Sequence, residues 1–105
     1  MVIKESNLSS ISFKLDDKFI QGYNNLGNVY VKSGKFKKAI EMYNKVLSIK
    51  PDYSAGYNNL ASAQNDLGEF ADSIQNYENA LINKPNYPEV FFNFIISKSL
   101  LRNSL

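Results

Sequence analysis

Residues 20–53 read IQGYNNLGNVYVKSGKFKKAIEMYNKVLSIKPDY, and residues 54–87 read SAGYNNLASAQNDLGEFADSIQNYENALINKPNY. The two stretches align without a gap and are identical at thirteen positions. These pairs are Gly22/Gly56, Tyr23/Tyr57, Asn24/Asn58, Asn25/Asn59, Leu26/Leu60, Gly34/Gly68, Phe36/Phe70, Ile40/Ile74, Tyr43/Tyr77, Leu47/Leu81, Lys50/Lys84, Pro51/Pro85 and Tyr53/Tyr87. A third, incomplete copy begins at Pro88. Self-similarity at a fixed period of this length indicates a stack of repeated supersecondary units.

Each copy has the pattern of two helices. In the first helix of repeat one, residues recur at spacings of three and four, which is helical periodicity: Tyr23, Leu26, Gly27 and Tyr30. Gly34 is placed to end that helix. The second helix restarts near Phe36 and stops before Pro51, because a residue that precedes proline disfavours helical geometry. Its apolar face carries Ala39, Ile40, Tyr43, Val46 and Leu47.

The spacing Tyr23-x2-Leu26-Gly27-x2-Tyr30, followed by Ala39-x3-Tyr43 and Pro51, resembles the tetratricopeptide repeat signature. Repeat two departs from it at two positions, Gln64 and Ser73. The resemblance covers residues 20–101. It implies an all-α, right-handed superhelix (an α-solenoid) of antiparallel helix pairs. Residues 20–53 would be the first repeat, residues 54–87 the second, and residues 88–105 a partial third repeat or a capping helix.

Small residues are expected where the two helices of a repeat cross closely. Gly27 and Ala61 take that position in the first two copies, and a larger side chain there would push the helix axes apart. The third copy has Ile95 instead, which fits a helix without a second helix to pack on. We expect Leu26 and most aromatic residues, Phe91 among them, to lie in the repeat core.

Residues 1–19 fall outside the repeat pattern. One interpretation is a degenerate half-repeat, in which Leu8, Ile11, Phe13, Leu15 and Phe19 belong to the second helix of a preceding repeat. The other interpretation is an N-terminal arm.

Composition excludes several classes of function. The chain of 105 residues has neither histidine nor cysteine, which removes the commonest general base, the commonest metal ligand and any thiol nucleophile. It also lacks a Gly-rich phosphate loop. We therefore predict a protein that is not an enzyme and needs no cofactor or metal. A net charge of +2 gives no reason to expect nucleic acid or membrane as partner. With no apolar run of membrane-spanning length and no secretory signal, we expect a cytoplasmic location.

The resemblance also implies where a ligand would bind, since the first helices of such repeats line a concave face. The polar residues expected on that face are Asn24, Asn25, Asn28, Lys32, Asn58, Asn59, Ser62, Asn65 and Asn93. The sequence is therefore interpreted as a non-catalytic protein–protein interaction module that binds an extended peptide or a segment of a partner. An alternative is a substrate-recruiting part of a larger glycosyltransferase-like or sulfotransferase-like enzyme, and a third is a self-assembling scaffold.

Asn25, Asn59 and Asn93 recur in register in all three copies. A side-chain amide both donates and accepts hydrogen bonds, so a row of amides can bind a peptide backbone. The row is similar to the inner asparagine ladder of the O-linked N-acetylglucosamine transferase repeats. The other interpretation is that these asparagines bond to neighbours within the repeats.

A second mode known for such repeats is the clamp that binds the acidic tails of heat-shock chaperones. Asn28 and Asn59 stand at its asparagine positions, but Asn24, Glu89 and Asn93 stand where it needs cations. Without those cations a carboxylate loses its partners. The sequence therefore argues against recognition of chaperone tails.

The C-terminal helix is expected to expose an apolar surface made of Phe92, Ile96, Leu100 and Leu101. Terminal repeats normally need a polar outer face to remain soluble as monomers. We therefore predict that the chain associates with itself through this helix to form a homo-oligomer.

Overall fold

The computed structural model describes the backbone of residues 2–104 and the side chains of residues 17–104. That part of the chain forms five helices: α1 (Val2–Lys32), α2 (Phe36–Ile49), α3 (Ser54–Asp66), α4 (Phe70–Asn83) and α5 (Pro88–Ser104). Each helix packs against the next one in the sequence. The result is an elongated stack of 61 × 30 × 18 Å. The prediction of an all-α solenoid of helix pairs is confirmed.

The two helices of each repeat are joined by a turn that requires glycine. Gly34 has a φ of +76° and Gly68 a φ of +83°, in the left-handed region that glycine adopts without steric cost. Beyond Gly34, the N–H of Lys35 donates to the carbonyl oxygen of Tyr30 at 2.8 Å, and the equivalent bond in repeat two is 2.9 Å long. This pattern caps the last turn of α1 and of α3.

The closest approach between helices is made by a tyrosine of the second helix against a small residue of the first. A Cβ atom added at Gly27 would lie 2.5 Å from Cε1 of Tyr43. In repeat two, Ala61 is fully buried in one cluster with Tyr77. Gly27 and Ala61 therefore allow the two helices of a repeat to approach closely, as predicted, because larger side chains would push the helices apart.

The core is divided into two clusters, and each of them crosses a repeat boundary. The first joins α2 to α3 and contains Ala39, Tyr43, Leu60 and Ala63. The second joins α3, α4 and α5 and contains Ala61, Tyr77, Ala80, Val90 and Phe94. No repeat buries its apolar side alone, so successive repeats stabilise one another.

Two residues expected in the core are exposed. Leu26 is 40% exposed, whereas its equivalent Leu60 is 4% exposed beneath α2. Leu60 is covered by the second helix of the preceding repeat, and among the described residues no such helix covers Leu26. Phe91 is 55% exposed, because no second helix packs on α5 within the described residues.

The N-terminal segment runs directly into repeat one. The backbone of residues 2–19 continues α1 without a turn. Asp17 occupies the position of Pro51 and Pro85, and neither proline nor glycine interrupts the chain before Gly22. A helix with no residue to stop it continues. The side chains of residues 1–16 lie outside the described part.

Within the described part of the chain, no helix combines the length and the apolar character that crossing a membrane requires.

Replacing Gly27 with alanine tests the close helix approach. We expect Gly27→Ala to destabilise the protein by about 1–3 kcal/mol, because the new methyl group collides with the Tyr43 ring. The matched control is Gly22→Ala, since a Cβ atom there meets nothing within 4 Å. That change should be neutral or stabilise by up to about 1 kcal/mol through helix propensity. Urea denaturation measures both, and equal effects would contradict the predicted contact.

The buried tyrosines predict a fall in stability at alkaline pH. Burial raises the pKa of both Tyr43 and Tyr77 above the usual 10.0. The neutral phenols are therefore favoured in the folded state. Their contribution is complete below pH 10 and disappears as the pH rises through the raised pKa. Urea denaturation across this range should show a weaker pH dependence for Tyr77→Phe than for the wild type. An unchanged pH dependence would show that Tyr77 ionises equally easily in both states.

Candidate functional site

The predicted binding residues lie on the first helices, α1, α3 and α5. Asn25, Asn28, Lys32 and Ser62 are exposed. The others are half-buried: Asn24, Asn58, Asn59, Asn65 and Asn93. We use the name asparagine row for Asn24, Asn25, Asn58, Asn59 and Asn93.

One bond of the asparagine row joins two repeats. The Nδ2 atom of Asn59 on α3 donates to Oδ1 of Asn24 on α1 at 3.2 Å. The bond therefore brings the two helices of the expected binding face into register. It occupies one of the two N–H groups of Asn59 and leaves its carbonyl oxygen free for another partner.

The equivalent bond between Asn58 and Asn93 is not formed. Asn58 and Asn93 are separated by the same number of residues as Asn24 and Asn59. The Oδ1 atom of Asn58 is buried and has no hydrogen-bond partner within the described residues. A buried acceptor without a partner is costly, so Asn58 Oδ1 is a polar group of the row that still lacks a donor.

Two further asparagines of the predicted set also bond to the scaffold. The hydroxyl of Tyr43 donates to Oδ1 of Asn28 at 2.5 Å. The hydroxyl of Ser97 on α5 donates to Oδ1 of Asn65 on α3 at 3.0 Å. Both amides therefore help to hold helices together, and the sequence alone did not separate this role from ligand binding.

A cavity of about 410 Å³ lies at one end of the row. Asn24 and Asn25 line it together with Asp17, Ile20 and Gln21 of α1. Its other wall is formed by Lys50 and Tyr53, which follow α2. The Lys50 ammonium lies 5.5 Å from the centre of the Tyr53 ring.

Asp17, Ile20, Lys50 and Tyr53 were missed as candidate site residues. Lys50 and Tyr53 recur as Lys84 and Tyr87. This recurrence shows that both residues have a fixed place in the repeat, but it does not show that they line a cavity. Asp17 and Ile20 reach the cavity because α1 continues past the start of repeat one.

Among the described residues no group of three acidic side chains is arranged to hold a metal ion.

Of the residues predicted to mediate self-association, three are exposed. Phe92 is 66% exposed, Ile96 39% and Leu100 37%. Leu101 is instead half-buried on the side of α5 that faces the stack.

Comparison with protein families gives two matches. The family model described as tetratricopeptide repeat matches residues 20–53, and a second model with the same description matches residues 54–87. These boundaries coincide with the two copies read from the sequence. The sequence has no significant match among curated proteins.

Several solved structures share the fold. The Sgt2 domain from Aspergillus fumigatus is 21% identical with a TM-score of 0.77, over 80% of this chain and 56% of that chain. The first domain of Spaghetti (RPAP3), bound to HSP90 peptide SRMEEVD, is 24% identical with a TM-score of 0.78, over 82% and 70%. The TPR2AB domain of yeast Sti1, in complex with pHSP90, is 18% identical with a TM-score of 0.80, over 94% and 39%. The chain thus spans about half the length of some structures that it matches.

Two asparagine substitutions distinguish an asparagine that stabilises the fold by a hydrogen bond between repeats from one whose amide is exposed. Asn59→Ala removes the donor to Asn24 and should destabilise the protein by about 0.5–1.5 kcal/mol relative to Asn25→Ala. The comparison cancels helix propensity, because both residues are asparagines inside a helix. Asn25 is exposed, so its own substitution should change stability by less than about 0.5 kcal/mol. Thermal or urea unfolding measures the difference, and equal stabilities would exclude a structural role for the bond between repeats.

Proposed function

Because the chain belongs to the tetratricopeptide repeat family, we propose that it is a non-catalytic module that binds an extended peptide or partner segment. The ligand lies on the concave face formed by α1, α3 and α5. The observation that carries this proposal is the asparagine row, which crosses repeat boundaries on the first helices and ends in a cavity.

The chemistry of the row supports recognition of a peptide backbone. The side chain of Asn25 is exposed, so its whole amide can bind a ligand. Asn59 uses one N–H group to bind Asn24 and retains its second N–H group and its carbonyl oxygen. Such groups can satisfy both the N–H and the C=O groups of an extended chain. Affinity from this source depends little on the sequence of the ligand.

The cavity next to Asn25 supports a second, more selective contact. Its volume of about 410 Å³ is within the range that ligand pockets occupy. Lys50 and Asp17 offer one cation and one anion, and Gln21 adds an amide. We propose that this cavity takes a polar side chain or one end of the bound peptide.

An acidic chaperone tail is not the ligand that we propose. The Spaghetti structure contains the peptide SRMEEVD, which carries three acidic residues. In this chain the positions that resemble those of the clamp cations hold Asn24, Glu89 and Asn93. Glu89 would repel such a ligand, and the two asparagines cannot neutralise it.

The alternative proposal is a recruiting module within a larger glycosyltransferase-like or sulfotransferase-like enzyme. It uses the same face, and its support is the likeness of Asn25, Asn59 and Asn93 to the inner asparagine ladder of the O-linked N-acetylglucosamine transferase repeats. In the first proposal, binding of the segment is itself the function. In the alternative, the bound segment is delivered to the catalytic domain of the larger enzyme.

A peptide array followed by affinity measurement tests the proposed face. For a peptide selected on the wild type, Asn25→Ala should weaken binding about threefold to tenfold through the loss of one or two hydrogen bonds. The control Lys37→Ala changes an exposed residue on the turn edge and should leave the affinity within about twofold. Isothermal titration calorimetry measures both. Full affinity in Asn25→Ala together with a loss in Lys37→Ala would place the ligand elsewhere.

A further inference from the structure

Helix α5 has apolar side chains on the side that faces away from the stack. Val90, Phe94 and Ser97 are buried on its inner side. The outer side exposes five large apolar residues, which we name the α5 patch: Phe91 (55%), Phe92 (66%), Ile95 (48%), Ile96 (39%) and Leu100 (37%). An apolar strip along more than two turns of a terminal helix is the kind of surface that a protein partner covers.

The repeat register shows that an ordinary second helix is a poor partner for this surface. Ile95 stands at the position of Gly27 and Ala61, where a second-helix tyrosine makes its closest contact. A Cβ atom alone would already collide at Gly27. A helix that covers Ile95 must therefore lie farther out, at the separation that large interface residues impose.

Another α5 helix meets this requirement. Phe92 and Ser99 are seven residues apart, so they lie on one line of the helix, and both are exposed. If two copies of α5 pair antiparallel about an axis between Ile95 and Ile96, Phe92 of each copy faces Ser99 of the other. The largest exposed side chain of the patch then meets a small one, as interdigitated packing requires.

The charges at the ends of α5 fit the same arrangement. Glu89 lies in the first turn and Arg102 in the last turn. Antiparallel pairing places the acidic turn of each helix beside the basic turn of the other at both ends. A parallel pair would instead align like charges, which oppose association.

We propose that the protein forms a two-fold symmetric dimer in which α5 of one copy packs antiparallel against α5 of a second copy. This refines the self-association predicted from the sequence, because Phe91 and Ile95 belong to the interface and the half-buried Leu101 does not. Two α5 patches together expose at most roughly 900 Å² of apolar surface, less than the roughly 1,200 Å² of stable specific interfaces and typical of weak, transient ones. The dimer is therefore reversible and depends on protein concentration. The proposal does not rest on peptide binding.

Light scattering or sedimentation over a concentration series tests the interface without any ligand. The wild type should rise from 11.9 kDa to twice that mass and then remain constant. Ile95→Glu should weaken the dimer by at least about 100-fold, because two unpaired carboxylates become buried. The matched control is Val29→Glu on the other open end, where Val29 is 55% exposed, and it should not change the dimer. A monomer at all concentrations overturns the proposal, and so does growth beyond a dimer, which indicates head-to-tail stacking.

Cysteine cross-linking tests the antiparallel register. The chain has no cysteine of its own, so introduced thiols react only with each other. A mixture of Phe92→Cys chains and Ser99→Cys chains should form the mixed disulfide under mild oxidation, because facing helix positions lie within disulfide distance. In that heterodimer the Phe92→Cys chain still has Ser99 and the Ser99→Cys chain still has Phe92, so one of the two contacts between these positions is unchanged. The Ser99→Cys chain alone should cross-link at least about tenfold more slowly, since its two cysteines are offset by about 10 Å along the helices. Equal rates in both samples overturn the register, and circular dichroism confirms that each variant is folded.

Discussion

The stack depends on the contact between a second-helix tyrosine and a small first-helix residue. Tyr43 is 2% exposed and lies against Gly27, where no side chain fits between them. This contact sets the distance between α1 and α2. Leu60 of α3 then packs in the same cluster as Tyr43, so the position of the next repeat depends on it as well. The asparagine row is a consequence, because Asn59 reaches Asn24 only when α1 and α3 are correctly spaced.

The exposed apolar surface is an effect of the ends of the stack. A first helix has one side for its own second helix and another for the second helix of the preceding repeat. The interior helix α3 has both partners, so Leu60 and Ala63 are buried. At the two ends of the part that the structure describes, no helix fills one of these places, and Val29 on α1 and Ile95 on α5 are exposed. The two ends differ, because the exposed Phe92 of α5 has the small Ser99 seven residues further on, whereas the exposed Phe19 of α1 has Leu26.

The sequence predicted the features that arise within one repeat. Gly34 and Pro51 act on the local backbone, so the helix boundaries near Phe36 and Ile49 could be placed without coordinates. Contacts between repeats were harder to predict, because they depend on the offset between neighbouring units. The bond from Asn59 to Asn24 and the cavity beside Lys50 belong to this class. The exposure of Leu26 and the unbroken start of α1 were missed because a periodic pattern does not show which partner helix is absent.

One close contact, between a tyrosine and a small residue, recurs in both repeats and sets the helix spacing. Nuclear Overhauser effects measure it most directly, in a sample with labelled alanine methyl groups and tyrosine rings. We expect strong effects between the Ala61 methyl group and the Tyr77 ring, and between the Gly27 α-protons and the Tyr43 ring. Absence of both effects in a folded, helical protein would show that the helix pairs are held apart and that this contact does not set their spacing.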